Sequence, residues 1–163
     1  MVNNLFVDFG TSNIVSIGLD LASLFLRITV GGILILHGIR KTNNKFHGTI
    51  SWFNSLGFPF NITEGHIPAY LAALNEILFG FLLLIGFLTQ MMAIVVFLQM
   101  LVALYVASVK EKSSFISMAG NPGVYGYELD LHYIFSALSL IFIGGGSLSL
   151  DGLISIIKPF FVF

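Results

Sequence analysis

The sequence predicts an all-α integral membrane protein, a four-helix bundle, and three observations carry that expectation. Of 163 residues, 56% are hydrophobic and only 9% are charged. The mean hydropathy of +0.96 lies far above that of a water-soluble domain. Four stretches, about residues 17–39, 68–88, 90–109 and 128–146, each hold the roughly 20 apolar residues that a helix needs to cross a bilayer at about 1.5 Å per residue. A net charge of −1 argues against nucleic acid as a partner. With no cysteine, disulfides, thiolate metal sites, iron–sulfur ligation and thiol catalysis are excluded within this chain. No internal repeat or low-complexity segment divides it, so residues 1–163 are expected to form a single membrane domain.

The N-terminal "MVNNLFVDFGTSN" carries an Asp but no Lys or Arg. It lacks the basic region of a secretory signal, so the first helix is expected to stay in the mature protein. At 100° per residue, Asp20, Ser23, Arg27, Gly31, Gly38 and Lys41 share one face of that helix, with His37 on its flank. Loop 1 follows, and its Phe46, Trp52, Phe53, Phe58 and Phe60 suit the headgroup layer better than open water. It is expected to fold back over the mouth of the bundle. The second helix aligns Ala69, Ala73, Glu76 and Gly80, and Glu76 is the single formal charge between residues 68 and 109. The only plausible break before the third helix is "LTQ" at 88–90, which makes a tight hairpin. The third helix groups Gln99, Ala103 and Lys110; the fourth gathers Glu128, His132, Ser136 and Ser139. The tail "SLSLDGLISIIKPFFVF" reads as a second interfacial segment with Asp151 as its candidate N-cap.

Arg40, Lys41, Lys45, Lys110 and Lys112 follow the first and third helices, against Lys158 near the other end. The positive-inside rule then places loops 1 and 3 in the cytoplasm and both termini outside.

A central Arg or acid costs about 2.5 to 3.5 kcal/mol on insertion scales, so an intramembrane charge is by default a functional hypothesis with a partner to be named. Small residues beside polar ones let helices approach and satisfy each other, as lipid cannot. The helical rise puts Arg27 about 18 Å, Gln99 about 15 Å and Glu76 about 12 Å from the cytoplasmic ends. Side chains lean toward their own helix N-terminus, which widens the gap between Arg27 and Glu76. Gln99 therefore matches the depth of Arg27 better, Asp20 sits two turns above it, and a direct Arg27–Glu76 bridge is the less favoured reading. The candidate site is a polar column: Lys41, Glu128, His37 and His132 near the mouth, Glu76 below them, Gln99 and Arg27 at the floor. Such a column can pass protons or receive a headgroup. A protonated Glu76 could donate to a carbonyl ligand, and a nearby His changes charge near neutral pH. No metal site is expected. A haem held by His37 and His132 is a weaker reading, since no spacing motif supports it.

"LRITVGG" followed by "HGIRK", then "TISWFNSLGFP", "NEILFGFLLLIGFLT" and "GGGSLSLD" resemble, in order across about residues 24 to 151, the DoxX family of small four-helix membrane proteins. The last piece carries Gly145 and Ser147 where the family's Gly-Pro-Gly-Arg-type run has Pro and Arg. The resemblance implies a four-helix bundle in a prokaryotic cytoplasmic (inner) membrane and a quinone-linked role, since the family includes subunits tied to archaeal quinone-linked respiration and to thiosulfate:quinone oxidoreductase. Its matching polar positions are Arg27, His37, Lys41, Glu76 and Glu128.

The expected function is that of an accessory or quinone-interacting subunit of a respiratory or sulfur-linked membrane oxidoreductase. No cofactor motif appears in the chain, so a partner carries the redox centre and quinone is the one cofactor expected. Expected partners are the lipid bilayer and either further copies of the chain or other membrane or redox subunits. The alternative is a non-catalytic scaffold or assembly factor. A solute carrier ranks lower, because the four helices show neither an inverted repeat nor a broken helix.

Overall fold

The computed structural model describes residues 2–42, 46–55, 66–116 and 126–157, with side chains between residues 13 and 155. Lys45, Phe58, Phe60 and Lys158 lie outside the described residues. All regular structure among the described residues is helical: α1 (Val2–Thr42), α2 (Phe46–Ser55), α3 (His66–Ile85), α4 (Thr89–Tyr105), α5 (Glu128–Ile143) and α6 (Leu150–Ile157). α4 runs on into a π-helical turn over Val106–Lys110.

Among the described residues, three segments are long and apolar enough to cross a membrane: Asn13–Thr42, His66–Ile85 and Thr89–Lys110. α5 has 16 residues and spans about 24 Å, less than the roughly 30 Å of a hydrocarbon core. It ends three residues before the expected 146, because Gly144 takes a φ of 75° and leaves the helix. Phe25, Leu74, Phe81, Leu98 and Phe135 point outward from four different helices, each more than half exposed. Water would not tolerate so extended an apolar surface, whereas acyl chains match it. The molecule is an integral membrane protein on these grounds.

α1 and α3 pack antiparallel along their length, α3 then meets α4, α4 lies on α5, and α5 returns to α1. The seam between α1 and α3 is built from small residues. A Cβ on Gly31 would lie 2.6 Å from the Gly80 carbonyl, and one on Gly38 would lie 2.7 Å from that of Ala73. The backbones are thus as close as they can be, which maximises dispersion contact where lipid supplies no hydrophobic drive for helix pairing. Val30, Leu34, Leu83, Val96, Ile134 and Leu140, drawn from α1, α3, α4 and α5, meet in one apolar core.

The α3–α4 connection is Gly86-Phe87-Leu88, slightly ahead of the expected "LTQ". Gly86 N–H donates to Leu83 O at 3.0 Å and Phe87 N–H to Leu82 O at 2.9 Å. With Gly86 at φ 70°, this is a Schellman stop, and its glycine fixes where the helix must end. The expected cap of the tail also moves. Ser149, not Asp151, caps α6: its hydroxyl accepts the Gly152 N–H at 3.0 Å. Asp151 is drawn away to α4.

α2 lies against α3, with the Phe46 and Tyr70 rings 4.2 Å apart. Trp52 Nε1 donates to the Glu111 carboxylate, which ties α2 to the segment following α4. The described part of loop 1 therefore folds back across the end of the helices where α1 finishes and α3 begins.

Candidate functional site

The polar groups form two clusters. Arg27 and Lys41 stand fourteen residues apart on α1, about 21 Å by helical rise, and each organises one end of the packed helices.

At the Arg27 end, the guanidinium is 1% exposed. Its Nη2 donates to Leu148 O at 2.6 Å, and its Nη1 makes a longer contact to Leu84 O at 3.4 Å. Leu84 lies in the last turn of α3, whose carbonyls have no helical partner and carry the negative end of the helix dipole. The hydrogen-bond partners of Arg27 are therefore backbone carbonyls, with Asp151 the opposite charge within electrostatic reach, and neither Gln99 nor Glu76. Gly86 leaves room for it, since a Cβ there would strike the guanidinium. The 144–151 segment is fastened at several further points. Ser23 Oγ donates to Gly144 O at 2.6 Å, and Asp20 accepts from the Ser147 N–H at 2.9 Å and from the Ser147 hydroxyl. Ser147 thus pairs with an acid on α1.

Asp151 completes this end by capping a helix remote from it in sequence. Its carboxylate accepts the Leu88 and Thr89 N–H groups, both at 2.8 Å, and the Thr89 hydroxyl at 2.7 Å. These amides open α4, and nothing else within the helix can pair them. Asp151→Ala removes all three bonds, so it is expected to cost about 2 kcal/mol. Faster hydrogen exchange at Leu88 and Thr89 than in the wild type reports the loss; unchanged protection there would contradict this capping role.

At the other end, Glu76 is 5% exposed, on α3. Lys41 Nζ donates to its Oε1 at 2.5 Å, with the Lys41 side chain 31% exposed. Gln99, on α4, makes a long contact of 3.4 Å to the same oxygen. Glu76 Oε2 is buried and has no hydrogen-bond partner among the described residues. From α5, the buried Tyr133 lies within electrostatic reach of Glu76 and meets His37 of α1 edge-on, ring centres 6.4 Å apart. Three helices thus bring polar groups to one carboxylate on a fourth, which keeps a free acceptor, or one proton to give, inside the protein.

Of the expected column, Lys41, Glu76 and Gln99 come together, with His37 at their edge. Arg27 belongs to the opposite end. Glu128 is half-buried at the start of α5, beside Asp130. His132 is exposed and does not face the cluster, because the inward face of α5 is Tyr133, Ala137 and Leu140 instead of the arc through Glu128, His132, Ser136 and Ser139. That rotation also disfavours a haem between His37 and His132. Tyr133 is the site residue that the polar pattern missed. The signal was available in Tyr133-x3-Ala137-x2-Leu140, a helical stripe centred on a small residue. Among the described residues, no group of three His, Asp or Glu side chains could hold a metal ion.

Comparison with known proteins gives the following. Residues 22–109 match the DoxX family. Over 147 residues the chain is 33% identical to a protein of Haemophilus influenzae described as uncharacterized, covering 88% of this chain and 89% of that one. Over 132 residues it is 28% identical to a Bacillus subtilis protein named "Putative oxidoreductase CatD", covering 81% and 86%. No solved structure matches it.

Proposed function

The chain belongs to the DoxX family, and from that premise we propose that it is a quinone-interacting accessory subunit of a respiratory or sulfur-linked membrane oxidoreductase. In this reading α1, α3, α4 and α5 form a four-helix bundle in a prokaryotic inner membrane. The described part of loop 1 and α6 lie at the two interfaces, and the termini face outward. Loops 1 and 3, with their Lys and Arg, face the cytoplasm. The redox centre belongs to a partner subunit, and further copies of this chain are the other candidate neighbours. The name of the Bacillus subtilis relative supports an oxidoreductase setting.

One observation carries the proposal: a carboxylate 5% exposed, paired on one oxygen and unsatisfied on the other. A buried acceptor without a partner costs about 1 to 3 kcal/mol, so its retention points to a ligand. The residues present fit a quinone headgroup, whose carbonyls need donors. A protonated Glu76 Oε2 is one donor, and the Lys41 ammonium and the Gln99 amide are others. A bound quinone supplies two-electron, two-proton redox chemistry. Lys41 holds the charge of Glu76 in the ionised state, Glu76 gives or takes a proton at Oε2, and His37 can pass that proton toward the end where α1 finishes.

The test is quinone-analogue binding to detergent-purified wild type and Glu76→Gln, with melting recorded in parallel. Replacing the carboxyl donor by a weaker amide donor that has no proton to give predicts about tenfold weaker binding, with the melting temperature little changed. A scaffold reading is favoured by the same Lys41–Glu76 pair, which joins α1 to α3. It predicts no binding to either protein and a Glu76→Gln variant that is strongly destabilised.

A further inference from the structure

Glu76 is surrounded unequally. α3 is its own helix, Gln99 of α4 lies beside it, and the small-residue seam closes α1 onto α3 with no room for a side chain. The α1–α5 side is different. α1 meets α5 far more sparsely than it meets α3, and about as sparsely as α3 meets α4; what sets the α1–α5 junction apart is that its two rings belong to residues of opposite exposure. His37 is exposed on the outer surface, whereas Tyr133, in edge-on contact with it, is buried and within electrostatic reach of Glu76. His37 and Tyr133 therefore lead from the outer surface toward the interior carboxylate.

We propose that the α1–α5 junction at His37 and Tyr133 is a lateral portal, through which the head of a membrane-dissolved, hydrocarbon-tailed quinone reaches Glu76 Oε2 while its tail stays among the acyl chains. This deepens the proposed function and rests on it. The route suits such a molecule on three counts. The ring edges of His37 and Tyr133 offer flat, weakly polar contact to a planar head. Leu36 and Phe135, next to the junction in sequence, are 60% and 63% exposed and offer apolar surface to a tail. Glu76 Oε2 at the end of the route, protonated as the proposed function requires, gives a carbonyl of the head a donor. A water-soluble quinone would gain nothing from entry through the apolar belt.

The absence of cysteine makes the portal testable without perturbing folding. His37→Cys is purified folded and then alkylated with N-(1-pyrenyl)maleimide. Leu98→Cys, on the exposed side of α4, is treated in the same way as the control. Binding of decylubiquinone is measured before and after. Unmodified His37→Cys loses the ring contact and sets its own baseline; against that baseline alkylation at residue 37 is expected to weaken binding about tenfold or more, and alkylation at residue 98 to leave the binding of its own unmodified variant unchanged. Equal binding before and after alkylation at 37, with Glu76→Gln still weak, overturns the portal and leaves the Glu76 site standing. Decylubiquinone binding that does not depend on Glu76, or no binding to the wild type, overturns the site itself and the portal with it.

Discussion

Replacing Arg27 with glutamine is expected to destabilise the protein by about 3 kcal/mol, a fall of roughly 10 °C in Tm for a chain of this size. The guanidinium is a bolt shared by three pieces: α1, the last turn of α3 at Leu84, and the 144–151 segment at Leu148. Both acceptors are backbone carbonyls, and the bond to Leu148 is the shorter of the two. The shorter Gln side chain cannot span them, so they are left unsatisfied as well as unpaired. Arg27→Lys tests geometry against charge. It keeps the positive charge near the α3 C-terminus but loses the planar fork, and it should recover less than half of the loss. Thermal melting in detergent reads both variants, and limited proteolysis near residue 148 should accelerate in parallel. An Arg27→Gln protein that melts within about 2 °C of the wild type would show that the bolt holds nothing.

A second large effect is expected at Gly31, and its neighbour supplies the control. A Cβ at Gly31 meets the Gly80 carbonyl at 2.6 Å and the Leu84 nitrogen at 3.0 Å, both backbone, so neither can rotate away. Gly31→Ala must push α1 off α3. The cost should reach the upper end for overpacking, about 3 kcal/mol, despite the better helix propensity of alanine. At Gly32 a Cβ meets nothing within 4 Å. Gly32→Ala should therefore be neutral or raise stability by up to about 1 kcal/mol. The same substitution, one position apart, is expected to carry opposite signs. Because the seam connects both polar clusters, Gly31→Ala should also weaken ligand binding at Glu76, whereas Gly32→Ala should not. Equal melting of the two variants would refute the close approach of α1 and α3.

Much of this was legible beforehand. Composition alone selects lipid as the solvent, because no water-soluble core could bury so large an apolar fraction. The 3.6-residue period then identifies which side of each long helix is unlike the rest. On α1 it selects Ser23, Arg27, Gly31 and Gly38, and on α3 Ala69, Ala73, Glu76 and Gly80, all of which are buried. Those faces could be read because their small and polar residues stand out against leucine and phenylalanine. α5 offered no such contrast. Its polar residues lie on one arc and its packing residues on another, and the packing arc, with Tyr133, faces inward.

Partner choice was beyond any reading of side chains. Arg27 is held by the carbonyls of Leu84 and Leu148, and every residue has a carbonyl, so its use leaves no mark on the sequence. Asp151 has the spacing to cap α6, but it caps α4, across 62 residues of chain, because the fold brings unpaired amides to it and gives Ser149 to α6 instead. Likewise Gln99 has the depth to serve Arg27, but α4 is turned toward Glu76. The sequence by itself determined the solvent, the helices and the inward faces of α1 and α3, since each depends on the local order of apolar and polar residues. The tertiary structure alone decided which group meets which, because that depends on the rotation and height of one helix against another and on backbone atoms common to all residues.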